Sequence, residues 1–494
     1  MNEVSIMQRK ETLFEYLYHS LREEIISGRM PFGSTLPSIM RLCELYHVGI
    51  RTVRDVLERL KQEGYIKTEE RKPMLVIYRQ DQREQETAAV TYIVKYQQSL
   101  RDAYATMTLI MPRILSFSVQ VCSDYTLHCM KESVEEAAEK NTELRWKTNL
   151  KIFNALLDQT HNMFFRDLFS SLTLYARPIF FFQEKQGSSL NRESYRFQNI
   201  LWVQEAMYNR QLTESMVRLT QMYTAVQKTA ELQMQRLREQ YPQIEQSKKP
   251  FIWHSDRGRD HLHVQITRDL IDKIGTGRIT VGSRLPSEAK LAAQYKVSVA
   301  TIRKALASLN ELGYAKTQNV KGTTVCMQDE NTAAKCMQIK VYRKDTLRYL
   351  SGLQLMILLM KPAARSAFPF ITQQALSKLQ YDLQHEERIP LDCLTALVLQ
   401  YVPLETLRTL LTELGRIVCW GYYYSFYPSK QHGSTVLNRK SMEAVNYLQA
   451  GNQEAFSTQL CICYAHILDV VRSNMIDLQL FEASYMKTPD EVFL

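Results

Sequence analysis

The stretch LPSIMRLCELYHVGIRTVRDVLERLKQEGY, residues 36–65, returns as LPSEAKLAAQYKVSVATIRKALASLNELGY, residues 285–314. The offset is a constant 249 residues (285 − 36), with no gap, and it keeps Leu-Pro-Ser, Thr-Val/Ile-Arg and Gly-Tyr in register. A repeat that holds register through glycine and apolar positions alike is not expected by chance. The chain therefore carries two copies of one folded module.

Each copy is predicted to contain three helices followed by a two-stranded ribbon. Serines and glycines give the helix boundaries, because Ser favours the residue before a helix and Gly the residue after it. In copy 1 the predicted elements are a helix over 11–27, a helix starting at Ser38, a helix over 50–62, and strands over 65–68 and 75–78. In copy 2 they are a helix over 261–274, helices capped by Ser287 and Ser298, and a ribbon within 314–325.

The regions outside the repeat are predicted to be helical. Residues 90–240 and 345–484 show long amphipathic stretches with few glycines and no strand alternation. We therefore expect a mainly α protein in which two winged helix-turn-helix domains alternate with two all-helical bundle domains, a tandem duplication. The expected domains are 8–80, 90–242, 258–328 and 335–486, with polar linkers over 81–86 and 243–249.

Composition bounds the class of protein. A chain of 494 residues is too long for one core, and its formal net charge of +10 suits a polyanionic partner. The longest apolar run, Leu353 to Met360, is far short of the ~20 residues that span a membrane. The N-terminus has no apolar signal-peptide core. We expect a cytoplasmic protein without membrane contact, and its nine cysteines, which lack metal-ligand spacing, to be reduced thiols.

Three helices and a two-stranded wing make the winged helix-turn-helix plan. The residues that carry it here closely resemble the GntR family of bacterial regulators: Leu-Pro-Ser at the second helix, Thr-Val/Ile-Arg in the third, and Gly-Tyr before the ribbon. The resemblance covers roughly residues 11–79 and 258–328. It implies that each third helix is a recognition helix for the major groove of double-stranded DNA.

A recognition helix needs short polar or cationic side chains at its N-terminal turn, because that end meets the base edges. Arginine can bind the O6 and N7 of guanine, whereas hydroxyls and helix-start amides suit phosphate oxygens. The candidate DNA-binding residues are Ser38, Arg41, Arg51, Thr52 and Arg54 in copy 1, and Ser287, Lys290, Ser298, Thr301, Arg303, Lys304, Lys321 and Gly322 in copy 2. The alternative for the two threonines is helix packing, and for the serines capping alone.

The two copies depart from the family in different ways. The family's Glu-Arg after Pro-Ser is Ile39-Met40 in copy 1 and Glu288-Ala289 in copy 2, and its turn Ser-Arg is Gly49-Ile50 and Ser298-Val299. Residues 11–79 hold 11 Lys/Arg against 10 Asp/Glu, whereas residues 260–328 hold 10 against 5. Because phosphate contacts dominate affinity, we expect copy 2 to bind DNA more strongly.

The helical domains resemble the FadR-type sensor class of the same family. Many members of that class hold a metal with an Asp and three His, but Asn154, Ser441 and Cys463 stand where His would be needed. We therefore expect no metal and no cofactor. A small-molecule effector, if the domains bind one, would be acidic and would pair with a cation such as Arg177 or Arg416.

Three functions compete at this point. The first is a sequence-specific transcription regulator, with a repressor as the simplest form, acting as a homodimer or as an intrachain pseudo-dimer. The second is an enzyme, since some GntR relatives are fused to aminotransferase-like domains; 16 glycines and all-helical patterns argue against it. The third is a scaffold in which the winged helices, copy 1 at least, bind protein instead of DNA.

Overall fold

The computed structural model describes residues 13–26, 30, 32–46, 48–69, 73–78, 82–138, 152–185, 198–253, 262–318, 322–328, 330–384, 389–418 and 430–494. Copy 1 comes first, with α1 (Leu13–Ile26), α2 (Ile39–Tyr46), α3 (Ile50–Gln62), β1 (Ile66–Lys67) and β2 (Leu75–Val76). The strands are antiparallel, with Ile66 opposite Val76. Leu21, Val53 and Leu60 are fully buried between the helices.

The first helical bundle comes next in the chain. Its elements are α4 (Gln82–Lys95), α5 (Gln97–Val121), α6 (Asp124–Ala138), a helical segment at 152–159, α7 (Phe165–Lys185), α8 (Gln198–Tyr208) and α9 (Leu212–Gln240). α9 packs along α5, the central helix of the bundle. The expected linker over 81–86 is wrong from Gln82 onward, because this run of Gln, Arg and Glu contains good helix formers and begins α4.

Residues 241–253, which we call the strap, return across the first bundle. The Ser247 amide donates to the Lys95 carbonyl (2.7 Å), and the Lys249 amide donates to Ser99 Oγ (3.2 Å). At its end Trp253 is buried and donates from Nε1 to Asp167 Oδ2 (2.9 Å). The expected polar linker over 243–249 is therefore non-helical, but it is packed onto the first bundle.

Copy 2 has the same order of elements as copy 1, with strand bridges and a glycine conformation at matched positions. It consists of α10 (Leu262–Gly275), α11 (Glu288–Tyr295), α12 (Val299–Glu311), β3 (Ala315–Gln318) and β4 (Gly322–Val325). An isolated bridge joins Thr35 to Leu75 in copy 1, and one joins Arg284 to Thr324 at the matched positions of copy 2. The glycine after the third helix has φ of +78° in copy 1 and +77° in copy 2. The duplication thus holds in three dimensions.

The second bundle also follows the plan of the first. Its elements are α13 (Glu330–Met337), α14 (Lys340–Ala367), α15 (Gln373–Leu383), α16 (Pro390–Tyr401), α17 (Glu405–Ile417), α18 (Lys430–Gln449) and α19 (Gln453–Asp477). α19 packs along α14 as α9 packs along α5. The C-terminal tail, residues 478–494, adds two short 3₁₀ turns and buries Phe493.

The two bundles share one hydrophobic core. Buried Arg113 of α5 donates from Nε to the Leu358 carbonyl (2.8 Å) and from its guanidinium to the Phe493 carbonyl, so it joins the bundles through backbone oxygens. The Asp102 carboxylate accepts the Glu405 and Thr406 amides (2.8 and 2.6 Å), which places a negative charge at the start of α17.

Copy 2 is fixed to the second bundle. The Arg268 guanidinium of α10 pairs with the Asp345 carboxylate of α14, and both side chains are largely buried. The Tyr342 hydroxyl of α14 donates to Glu311 Oε2 at the end of α12 (2.7 Å). The apolar core of copy 2 is continuous with that of the bundles, whereas the core of copy 1 forms a cluster of its own.

Candidate nucleic-acid interface

In copy 2 the two helices predicted to contact DNA, α11 and α12, each begin after a serine whose side chain caps the helix. Ser298 precedes α12, and its Oγ accepts the Thr301 amide (3.2 Å) and contacts Thr301 Oγ1 (2.8 Å). Ser287 precedes α11 and accepts the Lys290 amide (3.4 Å). Both serines are exposed, so each caps its helix and still faces solvent.

Two cations stand on the exposed face of α12. Arg303 and Lys304 are both exposed, one turn after the cap, while Ile302 and Ala305 on the other side are buried. Arg303 Nε donates to Glu288 Oε2 of α11 at 2.7 Å, with 68% of its side chain exposed. Glu288 was not predicted as a site residue, because the sequence does not show which side chains meet across two helices. It fixes one nitrogen of Arg303 and leaves the rest of the guanidinium free to bind.

The wing of copy 2 is hydrogen-bonded to α12. Asn310 of α12 donates from Nδ2 to Thr317 Oγ1 (2.8 Å) and accepts the Thr317 amide (3.0 Å). Gly322 begins β4 with φ +86°, a value that side-chain residues rarely adopt, and no heavy atom lies where a Cβ would be. Lys321, the other residue predicted in this wing, lies outside the described residues.

In copy 1 the helix that carries most of the predicted residues, α3, has no side-chain cap at its start. Arg51 and Arg54 are exposed and Thr52 is half-buried on α3, but the helix begins after Gly49, which offers no side-chain cap. Ser38 and Arg54 line one cleft of about 760 Å³ between α2, α3 and the wing. The side chain of Arg41 lies outside the described residues.

Acidic residues share the exposed face of α3. Asp55 and Glu58 are exposed where copy 2 has Lys304 and Ala307. Further along α3, Arg59 is held within the module, since its Nε donates to Glu63 (3.0 Å). Hydrogen bonds from Tyr18 and Arg59 lower the pKa of the Glu63 carboxyl, which stays charged at neutral pH. The N-terminal part of α3, residues 50–58, thus has two cations and two anions, whereas the matched residues 299–307 of α12 have two cations and no anion.

The bundles offer little support for the predicted effector cation. Arg416 is 60% exposed on α17 and pairs with Glu413, and the side chain of Arg177 lies outside the described residues. Ser441 and Cys463, expected to occupy metal-ligand positions, meet in the core at 3.8 Å. Within the described ranges, no group of three or more His, Cys, Asp or Glu side chains could hold a metal. The described cysteines are free thiols, half of them buried and half partly exposed.

Comparison with known proteins identifies the repeated module. A family model described as "Bacterial regulatory proteins, gntR family" matches residues 13–76 and 262–325. The chain thus carries two gntR-family domains, at the positions of the two described modules. The match confirms the expectation of a tandem pair of GntR-like winged helices.

The chain is also similar to curated relatives and to solved structures. The "Fatty acid metabolism regulator protein" of Haemophilus influenzae, in strains PittGG and Rd, is 27% identical over 192 residues, which cover 37% of this chain and 75% of the relative. Similar solved structures include "Streptococcus agalactiae GntR" (14% identity, 44% of this chain, 99% of that one, TM-score 0.24) and "E. coli McbR/YncC" (15%, 45%, 100%, 0.23). The family and the relatives are regulators, which confirms a regulator and not an enzyme.

Across the described helices, none alone has both the length and the apolar character needed to cross a membrane. Two consecutive helix pairs, bent by 117° and 119°, reach that length and composition only when taken together.

Proposed function

Because residues 13–76 and 262–325 are gntR-family domains, we propose that this regulator binds duplex DNA sequence-specifically with the N-terminal turns of α3 and α12 in the major groove. The observation that carries the proposal is an exposed arginine at the matched position of both helix tips, Arg54 and Arg303, with a second exposed cation beside it in each copy, Arg51 or Lys304. Ser38, Ser287 and Lys290 would contact phosphates beside them, with Arg41, Thr52, Ser298, Thr301, Lys321 and Gly322 completing the predicted surface.

We further propose that one chain reads two half-sites by itself. The shared core of the bundles, with Arg113 and Asp102 bonded across it, supports a permanent intrachain pair. A homodimer would then display four readers. The regions 90–242 and 335–486 would serve mainly for this association. We propose that the protein acts as a repressor in the cytoplasm.

Copy 2 is proposed to contribute most of the affinity. Its recognition helix is capped, its arginine is positioned by Glu288, and its net charge is higher than that of copy 1. Full-length protein should bind random duplexes with an affinity that falls steeply with salt, because each phosphate contact releases counterions. Arg303→Ala should lose more affinity than the matched Arg54→Ala. Arg416→Ala, which removes an exposed cation from the second bundle, is the control and should lose none.

The alternative is that copy 1 binds protein. Met40, 60% exposed at the start of α2, and the carboxylates on α3 favour it. A chain that ignores duplex DNA at low salt would reject the main proposal, whereas equal losses from Arg54→Ala and Arg303→Ala would reject only the ranking of the copies. Small-molecule sensing would appear as a rise in melting temperature with one of a panel of organic acids.

A further inference from the structure

Ile50 opens the recognition helix of copy 1 with an exposed apolar side chain. It is the first residue of α3, and 44% of it is exposed. Residues three or four apart on a helix lie side by side, so Ile50 neighbours buried Val53 as well as exposed Arg54 and stands at the edge between the core face and the exposed face of α3. At the matched position of copy 2 stands the smaller, half-buried Val299.

The major groove offers few groups that suit such a side chain. Guanine, adenine and cytosine present hydrogen-bond donors and acceptors there, which isoleucine cannot pair, whereas thymine adds a 5-methyl group. Since the N-terminal residues of a recognition helix meet base edges, Ile50 is placed where a methyl contact can form. Removing both apolar groups from water stabilises the complex.

The surroundings of Ile50 favour DNA over a protein as the occupant. Arg51 and Arg54 follow it on the exposed side of α3, and a polyanion is the partner that two unburied guanidiniums suit. Asp55 and Glu58 on the same helix repel phosphate and limit non-specific attraction. Contacts to bases therefore matter more for copy 1 than for copy 2.

We infer that Ile50 is a specificity-determining residue that selects thymine, through its 5-methyl group, in the half-site bound by copy 1. The inference rests on the proposed function, since it requires α3 to enter the major groove. It makes the two half-sites chemically unlike: one contains a thymine chosen by an apolar contact, and the other a base chosen by Arg303.

The experiment removes the methyl group alone. The full chain selects its preferred duplex from a random pool, and footprints of Arg54→Ala and Arg303→Ala assign each half-site to a copy. The duplex is then made with uracil in place of thymine, one position at a time. We expect one uracil in the half-site of copy 1 to weaken binding by about fourfold, the value for one methyl-sized apolar group. Uracil elsewhere should change little.

Two variants give the controls. Ile50→Ala should weaken binding to the thymine duplex by about fourfold and should bind thymine and uracil duplexes equally. Val299→Ala should keep the uracil sensitivity of the original chain. The inference would be overturned if Ile50→Ala still bound uracil duplexes more weakly than thymine duplexes. It would also be overturned if the original chain bound equally well with uracil at every position of that half-site. Either result would leave the proposed function standing. Ile50→Ala with unchanged DNA affinity would also overturn it and would favour a protein partner for Ile50. No duplex binding at all would instead remove the proposed function.

Discussion

At the scale of single residues, the two copies differ most in how their arginines are held. Glu288 accepts a hydrogen bond from Arg303, but the matched residue in copy 1 is Ile39, so Arg54 cannot form this pair. A surface ion pair adds only about 0–1 kcal/mol to stability, and its effect here is on side-chain position. Position matters because a bidentate contact to guanine needs both nitrogens of the guanidinium edge in place.

Glu288→Gln should therefore reduce base discrimination more than affinity. We expect the ratio of binding to selected over scrambled duplexes to fall several-fold, while binding to scrambled duplexes rises slightly because one negative charge is gone. Equilibrium titrations of both duplexes at one salt concentration measure the ratio. Ile39→Gln, at the matched position of copy 1, should leave it unchanged. An equal gain for both duplexes in Glu288→Gln would mean that the carboxylate only repels phosphate.

The helix caps give a second residue-scale prediction. Ser298 caps α12, whereas Gly49 stands at the matched position before α3 without a side-chain bond. Ser298→Ala should raise amide hydrogen exchange in the first turn of α12, corresponding to a loss of about 1 kcal/mol. Gly49→Ser should slow exchange at the start of α3 by a few tenths of a kcal/mol, since Ser is only slightly better than Gly there. Unchanged exchange in both variants would show that tertiary packing alone holds the helix starts.

At the scale of elements, the sequence predicts helices well where a local signal ends them. The helices of copy 2 begin within a residue of the predictions from Ser287 and Ser298, and α3 ends as Gly64 indicates. The linker expected over 81–86 fails because polar residues without Gly or Pro suit an exposed helix as well as a loop. The Glu288 contact could not be predicted, because it depends on how two helices cross.

The ion pair between Arg268 of α10 and Asp345 of α14, which we call the clamp, holds copy 2 against the second bundle. Arg268 and Asp345 are 11% and 18% exposed, and the residues 249 positions earlier are His19 in copy 1 and Tyr96 in the first bundle, which cannot form such a pair. Asp345→Asn should destabilise the contact by about 3 kcal/mol, because it removes the charge that pairs with a largely buried guanidinium. Faster amide exchange in α10, with α5 unchanged, is the expected readout. Asp158→Asn, which breaks a more exposed pair with Arg166, should have little effect; a similar change from both would argue against the clamp.

At the scale of the whole molecule, the contacts between the two bundles could not be predicted from the sequence. Arg113 and Phe493 are 380 positions apart, and no periodicity within either segment links them. The structure brings the C-terminal tail against α5, where Phe117 meets Phe493 edge-on (5.9 Å) and Gln120 exchanges hydrogen bonds with Asp490 (2.9 and 3.2 Å). The tail thus bridges the two bundles.

Deleting residues 488–494 should loosen this bridge and with it two-site binding. Two tethered readers gain affinity from a high effective concentration, which falls when their geometry is no longer fixed. We expect the truncated chain to bind the two-half-site duplex at least about tenfold more weakly, and a duplex with either half-site alone unchanged. Gln120→Ala, which removes three hydrogen bonds to the tail without touching the core, should shift affinity in the same direction by less. Circular dichroism melting shows whether the second bundle stays folded in the truncated chain. If that chain is folded and still binds both half-sites with full affinity, the spacing is set by the shared core and the Asp102 contact rather than by the tail.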